Sequence, residues 1–418
     1  MKPAEQTGTA EVKQTNRSLR SIISAIHLRR ITTSVAYMPE IDGIRFLAIF
    51  SVIIFHIAGY IAAHSPAEHR GTLSSSPTIW IANHLSFGVQ AFFVLSGFVL
   101  ALPFAGAYLR GKPAPSLKRY YLRRLTRLEP PYVLALIFFF VLSMMRGRGS
   151  FGVLLPHLLS SMFYQHNLIY GRPSDIETVA WSLEVEVQFY ILAPLISALA
   201  LRWSNRRLRR CGIAISILIA AAMASWLDPL SPRIYFSLIA QLPYFLAGFL
   251  LADIFSIEEK TKPTRIAWDA AGIAAGGLVF AGIYFESLTV YVVPFLLFAA
   301  FYGAFHGPLL KRFLSLQFVS TVGGMCYSIY LLHVWGITLA GRFTGNFGAT
   351  LPIASTIVLQ TVLMTPIILA ISGTFFVLVE RPCMVPDWPQ RLLRWCLGEP
   401  EGAGAIPQAP VRGPGPVV

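Results

Sequence analysis

The chain has 418 residues, of which 55% are hydrophobic and only 13% charged, with a formal net charge of +14 and a mean hydropathy of +0.60. A soluble domain carries about 25% charged residues, so this composition would leave large apolar areas in water and excludes an ordinary water-soluble enzyme. The basic residues lie in short blocks between apolar runs, which excludes a soluble nucleic-acid binder as well.

Lipid is the solvent that fits, with each crossing needing about 20 apolar residues. Residues 1–38 are polar and basic, with a brief apolar patch at Ile22–Leu28 and no apolar core followed by a small-residue cleavage site. They read as a cytoplasmic tail. Crossings are predicted at 43–63, 79–105, 128–145, 181–201, 211–227, 234–254, 266–285, 288–306, 317–340 and 352–379. With the N-terminus inside, only Arg70, Arg146, Arg148, Arg172, Arg233 and Arg342 fall on the outer side, so the excess of Lys and Arg on the other favours N-in and C-in. The expected fold is therefore an all-α, polytopic integral membrane bundle of about ten helices over 39–382. A Pro- and Gly-rich cytoplasmic tail follows over 383–418, with a short interfacial helix near Trp388–Trp395. The stretch 146–180 is too polar to cross and is expected at the outer interface or in a shallow re-entrant path. Cys211, Cys326, Cys383 and Cys396 have no ligand-like spacing, so neither a metal site nor a disulfide framework is implied.

A titratable group inside hydrocarbon costs several kcal/mol, so each one asks for a partner, a cavity or a function. Arg45 and His56 in the first span lie eleven residues apart, about 20° from whole turns and about 16 Å along the axis. They share one face, with Arg45 near the cytoplasmic mouth and His56 near mid-bilayer. A blander reading pairs Arg45 with Asp42 and leaves His56 bonded to a neighbouring helix. In the second span Ser96-Gly97 reads first as a close helix contact, since no nucleophile elbow surrounds Ser96. Arg124 and Arg127, in the loop entering the third span, share a side if helical; they either clamp phosphates or anchor to lipid head groups. In the fourth span Glu184 and Glu186 point to different sides. Glu186, one turn before Tyr190, is expected to reach and orient His56, while Glu184 is expected at the interface. Tyr330 and His333 in the ninth span line the same cavity or bond a helix partner.

These stretches occur in a recognisable order. Asp42-Gly43-Ile44-Arg45 with His56 comes first, then Phe92-Phe93-Val94-Leu95-Ser96-Gly97-Phe98 and Arg124-x-x-Arg127-x-x-Pro130. Trp181-Ser182-Leu183-x-x-Glu186-x-x-Phe189-Tyr190 and Ser328-Ile329-Tyr330-Leu331-Leu332-His333 complete the series. In this the sequence resembles the acyltransferase-3 family of membrane-bound O-acyltransferases from about Pro39 to Pro382. The resemblance implies transfer of an acyl group, often acetyl, from acyl-CoA to a hydroxyl of a carbohydrate, glycan or natural product at the cytoplasmic membrane. It carries the family's essential Arg and His onto Arg45 and His56, its basic pair onto Arg124 and Arg127, and its glutamate onto Glu186. The implied roles are catalysis at His56 and Glu186, donor binding at Arg45, Arg124 and Arg127, and cavity lining at Ser96, Tyr190, Tyr330 and His333. Acyl-CoA, acetyl-CoA in particular, is expected as co-substrate, with no tightly bound cofactor and no metal. The long basic leader, Glu129 beside the cationic entrance and the lack of the hydrolase-like domain of some relatives depart from the pattern. The rival readings are a transporter or flippase for an anionic or glycosylated lipid, or a non-catalytic membrane anchor.

Overall fold

Proline and small polar residues set where the helices start. The computed structural model describes residues 28, 30, 31, 37–65, 76–258, 264–281, 288–348, 350–385 and 388–390. Helices α1 (Pro39–His64) and α2 (Pro77–His84) each carry proline in the first turn, where a missing N–H has no helical partner to lose. A 3-10 turn, Leu85–Phe87, joins α2 to α3 (Gly88–Arg110). The Ser116 hydroxyl accepts from Arg119 N at 3.5 Å as α4 (Leu117–Met145) begins. Two short helices, α5 (Phe151–Met162) and α6 (His166–Tyr170), precede α7 (Ala180–Leu201). The Asn205 side chain then caps α8 (Arg206–Leu227), accepting from the N–H groups of Arg207 and Leu208 at 3.0 and 3.1 Å. The chain continues through α9 (Leu238–Glu258), α10 (Ile266–Ala281), α11 (Thr289–His306), α12 (Pro308–Leu314), α13 (Gln317–Gly324), α14 (Cys326–Thr344) and α15 (Ile353–Phe375). A π-helical turn, Phe376–Glu380, leads on to Arg381–Cys383. Among the described residues there is no β-strand.

Among the described residues, eight helical stretches are long and apolar enough to cross a membrane, or nine if the bent pair α13–α14 is one crossing. Large apolar side chains one turn apart are exposed on their outer faces, Ile215 and Ile219 on α8 and Val358 and Val362 on α15, as lipid contact requires. The protein is a multi-pass, all-helical membrane protein.

Three predicted spans differ from the structure. The third helix starts at Leu117, well before 128, so Arg124 and Arg127 lie on a helix and not in a loop. Pro130 and Pro131 do not break it. Pro130 leaves the Thr126 carbonyl without its helical donor, and Trp388 Nε1 donates to that oxygen at 2.8 Å; nearby, the Tyr327 hydroxyl donates to Leu128 O at 2.9 Å. Of the predicted span 266–285, α10 covers 16 residues, and 282–287 lie outside the described residues. The predicted straight helix over 317–340 is broken at Met325 by 75°. Gly323 there packs against the backbone of Asp42, whose carbonyl oxygen takes the place a Cβ would need.

The stretch 146–180 forms α5 and α6, too short to cross, and it covers the start of α7. For that reason Glu184, expected at the interface, is fully buried and accepts from Asn167 N at 2.9 Å. The close helix contact expected at Ser96-Gly97 is formed by α3 and α9, because a Cβ on Gly97 would meet Phe245 O and one on Gly248 would meet Val94 O. Of the predicted C-terminal helix, 388–390 are helical, while 391–395, Cys396 and Arg70 lie outside the described residues.

Candidate active site

Five helices, α1, α3, α4, α7 and α14, with the π-helical turn after α15, bring polar residues together in a band beside α1. At one end of the band, the rings of His56 on α1 and His333 on α14 lie 5.0 Å apart between centroids, with Phe55 edge-on to His56. His333 Nδ1 faces the carbonyls of Tyr330 at 2.7 Å and Ile329 at 3.2 Å. Carbonyls only accept, so the proton sits on Nδ1. Nε2 therefore carries a lone pair, and it is buried with no hydrogen-bond partner.

Further along, Ser96 on α3 donates to Glu186 on α7, and Tyr190, one turn on, lies against the same carboxylate. Arg45 and Arg124 are both within electrostatic reach of Glu186. The expected bond from Glu186 to His56 is not formed: its hydrogen bond goes to Ser96, and the imidazole's neighbour is His333. The hydroxyl of Tyr330 donates to Val179 O and lies 2.8 Å from the Ser182 hydroxyl, so it ties α14 to the start of α7.

At the far end the groups are cationic. Arg45 Nη1 donates to Asp42 Oδ1 at 2.5 Å, the pairing the blander reading anticipated. Arg124 lies 3.8 Å over the Tyr120 ring, donates to Tyr120 O at 3.1 Å and faces Tyr190 at 5.5 Å. Arg127 faces elsewhere, towards Glu380 and Arg30. The two arginines of the third motif thus serve different parts of one band.

Two members of this end were not singled out from sequence. Arg30, in the basic leader, donates to the same Asp42 Oδ1 at 3.0 Å. Glu380 is buried and accepts from Ser328 N at 3.0 Å and Ser328 Oγ at 2.5 Å, capping the first turn of α14 where the helix break exposes its N–H groups. An acidic residue closing the last apolar run, followed by Arg381-Pro382, was the available signal for Glu380. Arg30 offered none beyond its charge.

Comparison with known proteins settles the family. The family model described as an acyltransferase domain, acyltransferase 3, matches residues 38–379. The chain belongs to the acyltransferase-3 family. It is similar to the O-acetyltransferase OatA of Staphylococcus aureus, 24% identical over 323 residues, covering 71% of this chain and 50% of the relative. It is also similar to the peptidoglycan O-acetyltransferase OatA of Listeria monocytogenes, at 25% over 337 residues, 72% and 50%. The putative peptidoglycan O-acetyltransferase YrhL of Bacillus subtilis is 27% identical over 243 residues, covering 54% and 34%. The chain spans about half the length of the curated OatA relatives it matches. No solved structure matches it. This acyltransferase domain therefore carries the polar band described above, from the paired imidazoles to the arginine cluster.

Proposed function

We propose that the protein transfers an acyl group, acetyl in the simplest case, from acyl-CoA on the cytoplasmic side to a carbohydrate hydroxyl. The observation that carries this reading is the polar band itself. Two imidazoles stand together at one end, one with a free lone pair, and guanidinium groups gather at the other. A long donor with an anionic head and a reactive thioester tail matches that polarity. The printed names of the relatives, peptidoglycan O-acetyltransferases among them, support a glycan acceptor.

In this reading Arg45, Arg124 and Arg127 hold the phosphates through charge-assisted hydrogen bonds. His56 and His333 face the thioester, where an unprotonated imidazole nitrogen takes the proton of the acceptor hydroxyl. The hydroxyl oxygen then forms the new ester bond, the carbon–sulfur bond breaks, and the proton passes from the imidazole to the leaving thiolate. Glu186, fixed by Ser96, balances the charges of Arg45 and Arg124 between the two ends and so acts as a positioning residue. Positioned acid–base catalysis of this kind contributes about 10²–10⁴-fold.

The same reading includes N-in, C-in topology in the cytoplasmic membrane with ten crossings, counting α10 and the bent pair. Supporting it, the start of α1, the Arg127–Leu128 part of α4, the start of α14 and the π-helical turn after α15 meet around the arginines, as expected of an even count with basic inner ends. The test is release of free coenzyme A from acetyl-CoA by the purified protein with a glycan acceptor. His56→Ala is expected to lower turnover by about 10²-fold or more. Full turnover by a correctly inserted His56→Ala protein would overturn the chemistry, and acceptor movement across vesicles without thioester consumption would favour a transporter.

A further inference from the structure

The leader before α1 places a third guanidinium in the cationic end. Leu28 and Ile31 are partly buried against the apolar cluster of Ile49, Val322, Ile329 and Phe376, and hold Arg30 between them beside the start of α1. Arg30 and Arg45 both donate to a single oxygen, Asp42 Oδ1. Arg127 is close enough to raise the potential at Arg30, and Glu380 is the second carboxylate of the group. Three guanidinium groups thus share two carboxylates. Arg30 Nε and Arg127 Nε are both buried without a hydrogen-bond partner, and a buried donor left unsatisfied costs about 1–3 kcal/mol. Burial and the charges of Arg127 and Arg45 push the Arg30 guanidinium down to about 9, far below its usual range.

An excess of cations with donors still unused asks for an anion that brings several acceptor oxygens. A phosphate does so, and planar guanidinium groups match it with paired hydrogen bonds. The α14 N-terminus, opened by the break at Met325 and lying beside the same group, adds its own positive potential. We propose that Arg30 completes, with Arg45 and Arg127, a three-guanidinium subsite for a phosphate of the acyl donor, which makes this residue of the leader part of the donor site. This inference rests on the acyl-CoA reading above and extends it to a residue outside the family's motifs.

The test measures KM for acetyl-CoA and for acetyl-pantetheine, which has the thioester but no phosphate. Full-length wild type, Arg30→Gln, Arg30→Lys and, as a control at an exposed arginine of α12, Arg312→Gln are compared in phospholipid-free nonionic detergent, so that the phosphate detected is the donor's and not a lipid headgroup's. The expected result for Arg30→Gln is a KM for acetyl-CoA raised about tenfold, the scale of one charge-assisted hydrogen bond. Its KM for acetyl-pantetheine and its kcat stay at the wild-type values, Arg30→Lys recovers part of the loss, and Arg312→Gln behaves as wild type. If wild type consumes no acetyl-CoA, the donor reading fails and this inference falls with it. If wild type consumes acetyl-CoA and Arg30→Gln keeps the wild-type KM, the inference alone is overturned. Equal losses on both donors would also overturn it, by reducing Arg30 to a packing role.

Discussion

Two groups of buried arginines, built from the same chemistry, end in opposite states. On α8 and α9, Arg209 and Arg210 both clamp Asp253, and Arg210 Nη1 also donates to Glu258 at 2.7 Å, so two cations meet two anions. Around α1, Arg30, Arg45 and Arg127 meet Asp42 and Glu380, Glu186 lies within electrostatic reach of Arg45 and Arg124, and two of the guanidinium Nε–H groups have no acceptor. The first group sets two cations against two anions and fastens one helix to the next, with Arg210 Nη2 buried and lacking an acceptor. With Arg124 and Glu186 counted, the second sets four guanidinium groups against three carboxylates, an imbalance that the proposed donor phosphate would offset. Charge in a membrane protein is informative through its balance more than through its presence.

The contrast is open to breaking. Asp253→Asn leaves the buried Arg209 without its anion and takes one of two from Arg210, and should destabilise the fold by about 3–5 kcal/mol. Donor KM, measured on the molecules that remain folded, should stay unchanged; a thermal melt alongside kinetics reads both. Arg127→Gln should do the reverse, raising KM for acetyl-CoA about tenfold without lowering the melting temperature, since it relieves cation crowding. Equal behaviour of the two variants would erase the distinction.

Glu177 sharpens the comparison as a third way to bury a charge, with no cation beside it. Burial pushes its carboxyl up to about 8 from 4.5 despite a backbone hydrogen bond from Val179, so the folded state keeps a proton that the unfolded state releases. The stability this proton brings is complete below about pH 4.5 and is lost as pH rises through about 8. Between about pH 6 and about pH 9 the melting temperature of wild type should fall more steeply than that of Glu177→Gln. An identical slope would show that Glu177 is solvated. The smallest effect is expected at the rim, where Lys311, half exposed, faces Glu40 at 3.5 Å. Lys311→Ala should change stability by less than about 1 kcal/mol and leave donor KM as it is.

The one-face placement of Arg45 and His56 was legible in the sequence because helical periodicity fixes it without reference to any other helix. The nearness of His333 to His56 was open to the motif reading as one of two alternatives. The partner of Glu186 was not, because choosing between His56 and Ser96 needs the rotation of α7 against α3, which no single-helix argument supplies. The break at Met325 escaped for a related reason: hydropathy runs smoothly through it, and what stops α13 is the backbone of α1 at Asp42. The early start of α4 was hidden by Pro130 and Pro131; the carbonyl that Pro130 frees at Thr126 is satisfied by Trp388, distant in sequence. Glu184 was misplaced because a polar outer stretch was not expected to fold over it.

The anchoring of Leu28 and Ile31 has a practical consequence for anyone shortening the gene. A protein begun at Pro39, next to the first residue the family model covers, would keep every crossing and both imidazoles and would extract from membranes as a well-behaved species. On the proposed donor site, at thioester concentrations well below KM it would turn over about tenfold more slowly, and the deficit would be blamed on detergent or on a missing companion, when the cause is the loss of Arg30 upstream.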